Sequence, residues 1–305
     1  MVEKMEFGIS LRLLHEAKDE ARTAEALGYD YLLSGEHVSF HGPVSNTIVS
    51  LAAAAGATER IKLMSGIVLV PLYPPALLAK QVAMLDVVSG GRYSFGVGVG
   101  GEMAKEFEAC GVPVNERGAR TNEALEIITR LLTEKNVSFH GRFNTLNDIT
   151  IQPSPVQKPR VPIWVAGRQD AAIKRTARYA DGWLPYMYTP EMLADSMTKM
   201  ADYSESFGRP RDAVQGGLFI FTCVHEDRDT ALELANRQLS LQYNQDFSKL
   251  VEKYTIAGSP EDCQRRLREY YDAGARTVMF SHGCPADYVE QNTRLIAEGI
   301  VSAFR

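Results

Sequence analysis

A carboxylate and an imidazole stand side by side after a short apolar segment. Glu36 and His37 follow YDYLLSG, which we interpret as a strand and its end. Because an imidazole both accepts and donates protons near neutral pH, a histidine at a strand end could move a proton or contact a substrate. The alternative is a histidine that is only hydrogen-bonded to a loop carbonyl. The pair is the first candidate for catalysis.

A second candidate is the tripeptide Gly167-Arg168-Gln169, which stands between a strand-like segment and a helix-like one. Backbone N–H groups at the start of a helix, together with a guanidinium, make a favourable site for a phosphate group. Tyr186 and Tyr188 follow the next strand-like segment. They could line the same side of a site, or they could pack in the core or on the surface.

A glycine-rich run, Gly96–Gly101, matches the pattern G-x-G-x-x-G of dinucleotide-binding folds. That pattern needs a helix directly after the glycines and an acidic residue about 20 positions on, at the end of a second strand. Here the run continues into EMAKEFEACGVPVNERG, which we interpret as a loop. We therefore interpret Gly98 and Gly100 as positions at a strand end where the lack of side chains lets a flat ligand lie against the backbone.

The sequence gives little support for a metal-dependent or a nucleophilic mechanism. No His-x-His pair is present, and His37 and His41 bracket a loop rather than one helical face. The four cysteines stand far apart, without a C-x-x-C pair, which disfavours a structural zinc site or a disulfide framework. Neither a Gly-x-Ser-x-Gly motif nor a P-loop occurs. Since the chain's own groups are few, a bound cofactor is expected to supply the chemistry.

The composition narrows the class of protein. The 305 residues include 33 Lys+Arg and 38 Asp+Glu, a net charge of -5. This mild acidity disfavours a nucleic acid or an anionic membrane as partner. No apolar run approaches the roughly 18 residues of a membrane span, and the N-terminus has no long apolar signal segment. We expect a cytoplasmic protein.

Strand-like and helix-like segments alternate along the whole chain, which predicts an α/β fold with a parallel sheet. The strand-like segments are Met5–Leu11, Tyr29–Ser34, Ile61–Val70, Arg92–Val99, Ile163–Ala166, Gly182–Tyr186, Gly217–Val224 and Thr277–Ser281. The helix-like segments are His15–Leu27, Asn46–Thr58, Pro75–Val88, Arg120–Thr133, Asp170–Ala180, Pro190–Ser206, Thr230–Asn244, Pro260–Asp272 and a last one from Ala286. Eight such units favour a (β/α)8 TIM barrel, and the alternative is an open doubly wound sheet.

The regular alternation is interrupted once. Val137–Ile151 has short alternating runs around turn residues and predicts a hairpin. We expect one domain, residues 1–305, with an insertion near 101–160. In such a barrel the site is formed by the C-terminal ends of the strands. Further residues at these ends are Ser10, Arg12, Glu102, Ser281 and His282.

Several long phrases then identify a family. In order, GYDYLLSGEHV, ATERIKLMSGIVLVPLYPPALLAKQVAMLDVVSGGRYSFGVGVG, EFEACGVPVNERGART and PVQKPRVPIWVAGR resemble the luciferase-like flavin/F420-dependent oxidoreductase superfamily. The resemblance covers nearly the whole chain and is strongest over 29–186. It implies a (β/α)8 barrel with an insertion, in agreement with the count of strands.

The resemblance also implies roles for particular positions. Glu36 and His37 would lie beside a flavin or deazaflavin ring, with His37 in proton transfer or substrate contact. A non-prolyl cis peptide at Gly66–Ile67 would bulge under the ring. Gly98 and Gly100 would let the ring and ribityl chain approach the backbone. The cofactor-binding residues implied are Gly66, Ile67, Gly98, Gly100, Gly167, Arg168, Gln169 and Tyr186.

Glu102 lies near an acidic residue that protonates substrate in some F420 enzymes. This chain has one glycine more before it, so the alignment slips by one residue. We favour a solvated loop carboxylate at this position.

Three functions remain open. The first is a flavin-dependent monooxygenase that uses reduced FMN from a separate reductase on a small organic substrate. The second is an F420-dependent oxidoreductase that transfers hydride, with a separate F420 reductase as partner. A basic track for the polyglutamyl tail of F420, to which Lys174, Arg175 and Arg178 could contribute, would favour it. The third is a non-catalytic flavin-binding protein. The family also implies a homodimer.

Overall fold

The computed structural model describes residues 4–12 and 16–305. Within these ranges, strands alternate with helices. The strands are β1 Glu6–Ser10, β2 Tyr31–Ser34, β3 Lys62–Ser65, β4 Val68–Leu69, β5 Tyr93–Gly98, β6 Val137–His140, β7 Thr145–Ile149, β8 Ile163–Ala166, β9 Gly182–Leu184, β10 Gln215–Val224, β11 Thr255–Gly258 and β12 Thr277–His282.

The α-helices occupy the segments between the strands. They are α1 Ala17–Ala26, α2 Thr47–Ala55, α3 Pro75–Val88, α4 Ala104–Ala109, α5 Arg117–Thr133, α6 Asp170–Tyr179, α7 Pro190–Ser206, α8 Arg228–Tyr243, α9 Val251–Tyr254, α10 Pro260–Asp272 and α11 Val289–Gly299. Among the described residues, none of them is long and apolar enough to span a membrane.

Eight parallel strands close into a barrel, which confirms the predicted (β/α)8 fold and rules out the open sheet. The order around the barrel is β1, β2, β3, β5, β8, β9, β10 and β12, and β12 pairs again with β1. The order follows the chain because each helix returns the chain to the next position in the sheet. All the strands therefore end at one face of the barrel.

Alternation along the strands separates two cores. One set of side chains fills the inside of the barrel: Tyr31, Leu33, Met64, Trp164, Leu184 and Met279, with Phe219 packed against them. The residues between them, such as Leu32 and Leu63, belong to the larger core under the helices. Because successive side chains of a strand point to opposite faces, each strand contributes to both cores.

The structure corrects two predicted segments and adds two elements. The predicted strand Ile61–Val70 is broken into β3 and β4, with a cis peptide bond at Gly66–Ile67 between them. The predicted loop after Gly101 contains α4, because its segment AKEFEA consists mostly of good helix formers. The short strand β11 and helix α9 were not predicted, and β11 pairs in parallel with β10.

Other predicted elements agree with the structure. The segment from 137 to 151 forms an antiparallel hairpin of β6 and β7. Helices α3, α7 and α10 have the predicted bounds. Asn46 caps α2, accepting a hydrogen bond from the Val49 N–H at 3.1 Å. The predicted start of the first helix, His15, lies outside the described residues.

The four cysteines are free thiols. Cys110 is exposed, just after α4, whereas Cys223, Cys263 and Cys284 are buried. Burial raises the pKa of Cys263 and of Cys284 to about 12, and it also raises the pKa of Cys223. No disulfide framework forms from these residues.

Candidate active site

A cavity of about 440 Å³ opens at the C-terminal ends of the strands, where a (β/α)8 barrel carries its site. The structure brings all ten predicted site residues to its wall. They are Glu36, His37, Gly66, Ile67, Gly98, Gly100, Gly167, Arg168, Gln169 and Tyr186. We call this cavity the inner chamber.

A buried carboxylate holds the His37 ring. The Nδ1 atom of His37 lies 3.2 Å from both carboxylate oxygens of Glu106, whose side chain is fully buried. One of these oxygens also accepts the Val38 N–H at 3.1 Å. Because a carboxylate accepts hydrogen bonds, Nδ1 must carry the proton, and Nε2 of a neutral ring is then left as an acceptor. This arrangement suits a general base.

Glu106 is the functional candidate that the sequence reasoning missed. It lies on α4, in the segment that was interpreted as a loop. Two signals were available: the run AKEFEA favours a helix, and Glu106 opens one of the phrases that carries the family resemblance. Neither signal shows that the helix folds back onto the end of β2, which is a long-range contact.

The Glu36 carboxylate is hydrogen-bonded to the backbone just after the break between β3 and β4. One carboxylate oxygen accepts the Leu69 N–H at 2.9 Å, and the other accepts the Tyr73 hydroxyl at 2.9 Å. Asn46 donates to the second oxygen at 3.4 Å. Burial nevertheless raises the pKa of Glu36. With both oxygens engaged, this side chain can fix the chain after the cis peptide.

The glycines at the strand ends are each required for a different local reason. A Cβ on Gly66 would lie 2.4 Å from Leu33 Cδ1, and one on Gly98 would lie 1.8 Å from Ile67 Cδ1. The space that Gly98 provides is therefore filled by the Ile67 side chain, although a ligand was expected there. Gly100 has a φ of +59°, in the left-handed region that favours glycine.

The turn before α6 is fixed through its carbonyl groups. The Gly167 carbonyl accepts the indole N–H of Trp183 at 2.9 Å, and the Arg168 carbonyl accepts the Tyr188 hydroxyl at 3.2 Å. Gly167 has a φ of +123°. The N–H groups in the first turn of a helix have no partner within it, so this turn offers donors for an anion.

Tyr186 contacts one acidic and one basic side chain at the edge of the inner chamber. Its hydroxyl donates to Glu102 Oε1 at 2.7 Å, and the Arg168 guanidinium lies 4.9 Å above its ring. Burial, followed by the bond to Glu102, raises the pKa of Tyr186 to about 12. Glu102 is exposed, as expected for a loop carboxylate, although it is also hydrogen-bonded.

Several other candidates lie elsewhere. Ser281 lines the inner chamber, but Ser10, Arg12, Tyr188 and His282 are not among its lining residues. The described residues contain no group of three or more His, Cys, Asp or Glu side chains placed to hold a metal ion.

The residues considered for a basic track do not form one. Lys174 is paired with Asp170 at 2.9 Å on the surface. Arg175 is buried and donates to Asn122 at 2.6 Å. Arg178 packs over Tyr179.

Curated relatives include enzymes with both cofactors. The chain is 28% identical to an F420-dependent glucose-6-phosphate dehydrogenase of Microbacterium testaceum, over 95% of this chain and 94% of that protein. It is 35% identical to an FMNH(2)-dependent dimethylsulfone monooxygenase of Pseudomonas putida, over 53% of this chain and 46% of that protein. The match to mycobacterial relatives, at 34% identity, spans 62% of their length.

The fold and the sequence pattern point to the same family. The crystal structure of monooxygenase RslO1 from Streptomyces bottropensis superposes with a TM-score of 0.86 at 24% identity, over 99% of this chain and 100% of that one. The sequence model of the luciferase-like monooxygenase family matches residues 8–277. Since that match spans most of the chain, the protein belongs to the luciferase-like monooxygenase family.

Proposed function

We propose that this enzyme is a monooxygenase that uses reduced FMN, delivered by a separate reductase, to oxygenate a small organic substrate. The observation that carries the choice of cofactor is the charge of the inner chamber. Among the described residues that line it, Arg168 is the one lysine or arginine, and its guanidinium packs over the Tyr186 ring. One guanidinium with a helix N-terminus suits a single phosphate group.

The residues of the inner chamber fit such a cofactor. The phosphate would lie against the turn Gly167–Gln169, and the ring would lie over the bulge at Gly66–Ile67. Reduced FMN, when bound, would supply the electrons that activate oxygen. The chain's part is to fix the ring position through Glu36 and the bulge, to exclude water, and to accept or return a proton at His37 Nε2.

The alternative is an F420-dependent oxidoreductase that transfers hydride. It is favoured by the relative with nearly full coverage, which is named as an F420-dependent dehydrogenase. The polyglutamyl tail of F420 carries several negative charges and would need cations along its path. Lys174, Arg175 and Arg178 are engaged away from the inner chamber, which disfavours this alternative.

Binding titrations of the purified protein test the choice. Reduced FMN, oxidised FMN and F420 are added separately under anaerobic conditions, and fluorescence quenching is followed. We expect tight binding of reduced FMN and weak binding of F420. Tight binding of F420 alone would replace the proposal with hydride transfer. Binding of flavin with no substrate-dependent oxygen consumption across a panel of organic substrates would support the non-catalytic alternative.

We also propose that the chain is one barrel domain with its insertion near 101–160, and that it forms a homodimer. Helices α2 and α3 pack side by side and carry exposed apolar side chains. Val49 is 69% exposed, Leu77 53% and Val88 55%. Paired apolar side chains of this kind support burial against a second copy. Light scattering should give twice the mass of one chain, and Val49→Glu with Leu77→Glu should halve it.

A further inference from the structure

A second cavity adjoins the inner chamber, and the proposed function leaves most of its lining residues without a role. It measures about 360 Å³, and we call it the outer chamber. Residues that line both cavities form a shared wall: Phe40, Glu102, Arg168, Tyr186, Gln242 and Tyr243. The two cavities therefore meet along one boundary, at which a bound molecule in one could reach a molecule in the other.

The outer chamber is largely aromatic and apolar. Residues that line it alone include Met103, Met187, Phe247, Leu250 and Tyr254. Its aromatic rings pack against neighbouring aromatic rings. Tyr243 stacks on Phe247 with ring centroids 5.3 Å apart, and Phe221 meets Tyr243 edge-on at 6.1 Å. A cavity wall of packed aromatic rings favours flat apolar ligands.

The outer chamber has one acidic and one Lys or Arg side chain among its described lining residues. Glu102 and Arg168 both engage Tyr186, one at its hydroxyl and the other over its ring. Besides His41, the remaining polar side chains of the lining are the neutral amides Gln242 and Gln245 and the tyrosine hydroxyls. Since the proposed function assigns Arg168 to the cofactor phosphate, an anionic ligand would meet Glu102 without a Lys or Arg partner of its own. A neutral ligand with one hydroxyl or carbonyl group meets suitable partners.

The size of the outer chamber limits the ligand. A cavity of about 150 Å³ accommodates one benzene ring, so a space of about 360 Å³ suits roughly two fused rings. Phe40 connects this space to the proton-transfer candidate, since its ring stacks on the His37 ring with centroids 4.4 Å apart.

We propose that the outer chamber is the substrate site and that it selects a neutral, flat, mainly apolar molecule of about two rings with one uncharged polar group. This inference rests on the proposed function for the reaction itself, but the binding site stands on its own lining. A phosphorylated sugar or another multiply charged substrate is disfavoured, because the cofactor phosphate would occupy the one Lys or Arg of the described lining, Arg168, and Glu102 would repel further negative charge.

Equilibrium dialysis with two probes tests the chemistry. The probes are 2-naphthol and 2-naphthyl phosphate, which differ only in the charged group, and each is measured on protein with and without saturating FMN. On protein saturated with FMN, whose phosphate would occupy the turn Gly167–Gln169, we expect 2-naphthol to bind at least tenfold more tightly than 2-naphthyl phosphate. Equal or tighter binding of the phosphate to this FMN-saturated protein would overturn the proposal, as would displacement of 2-naphthol by FMN.

A variant that fills the outer chamber tests the location. Gln245 is exposed and lines the outer chamber but not the inner one. Gln245→Trp should weaken 2-naphthol binding at least tenfold and leave FMN affinity unchanged. Leu241→Trp, at a position 74% exposed on α8 and outside both linings, is the matched control and should change neither. Equal effects of the two variants on 2-naphthol would overturn the location.

The same titrations distinguish failure of the proposed function from failure of the outer-chamber proposal. If reduced FMN fails to bind while 2-naphthol binds and Gln245→Trp weakens that binding, the proposed function fails and the outer-chamber proposal stands. If FMN binds and 2-naphthol does not, the outer chamber proposal fails and the proposed function stands.

Discussion

At the scale of single residues, the pair of His37 and Glu106 carries the most chemical information. The position of His37 after a strand made it a candidate from the sequence. Its orientation and its protonated nitrogen depend on Glu106, which is 69 residues away in the chain. Sequence spacing cannot reveal such a contact because it forms only when α4 packs against the end of β2. The predicted residues line one cavity, but the contact with Glu106 that sets the chemistry of His37 is not predictable from spacing.

Replacing Glu106 tests this orientation. In Glu106→Gln the amide oxygen can still accept the Val38 N–H, which turns the NH₂ group toward His37 Nδ1. Since NH₂ only donates, the proton of His37 should move to Nε2. We expect ring ¹⁵N chemical shifts to report this change of tautomer, and we expect turnover to fall by about a hundredfold or more, as for loss of a general base.

Glu108→Gln, on the exposed side of the same helix, is the control for that experiment. It should leave the ring shifts and turnover unchanged. A Glu106→Gln protein that keeps its proton on Nδ1 would show that the carboxylate does not determine the tautomer.

At the scale of elements, the strand and helix order was predictable because apolar periodicity and cap residues are local properties. Helices α3, α7 and α10 each begin with proline, which fixes their starts. The short elements α9 and β11 were not predictable, and α4 was indicated only by its helix-forming residues, since segments of four to six residues carry too little periodic signal and depend on tertiary packing. These short elements matter for function, because α4 supplies Glu106 and α9 ends at Tyr254 in the outer chamber.

At the scale of elements, a substitution in the turn before α6 tests whether this turn binds the cofactor phosphate. In Gly167→Ala the new Cβ would lie 2.8 Å from Ala172 Cβ, in a backbone conformation with φ +123°. We expect the turn to shift, weakening FMN binding about tenfold and lowering the free energy of unfolding by about 1–3 kcal/mol. Fluorescence titration and urea denaturation measure the two effects.

Gly208→Ala separates the two effects. Gly208 also has a positive φ, +73°, but a Cβ there meets nothing within 4 Å. This variant should lose stability and keep its FMN affinity. If both variants lose affinity equally, the turn before α6 has no special part in binding the phosphate.

At the scale of the whole molecule, a buried histidine makes stability depend on pH. Burial, followed by the nearby Arg12 guanidinium, lowers the pKa of His282 from 6.5 to about 4. The unfolded chain therefore binds this proton more tightly than the folded one. The stability that His282 contributes is present above pH 6.5 and is lost as the pH falls from 6.5 to about 4, by up to about 3 kcal/mol.

The ring variant His282→Phe checks this dependence, because it keeps a planar side chain that cannot take up a proton. Urea denaturation of both proteins between pH 4 and 7 should show the wild type losing stability relative to the variant as the pH falls. His140→Gln, at an exposed position, should follow the wild type. Parallel curves for wild type and His282→Phe would contradict the prediction.

The distribution of the four thiols has a practical consequence for labelling. A thiol reacts as its thiolate, so the buried cysteines, whose pKa values are raised, should be inert to maleimide reagents at neutral pH. Cys110 should react alone, giving one dye per chain without any engineered site. Because Cys110 directly follows the helix that bears Glu106, that dye would report on movements of this helix as ligands enter the two chambers.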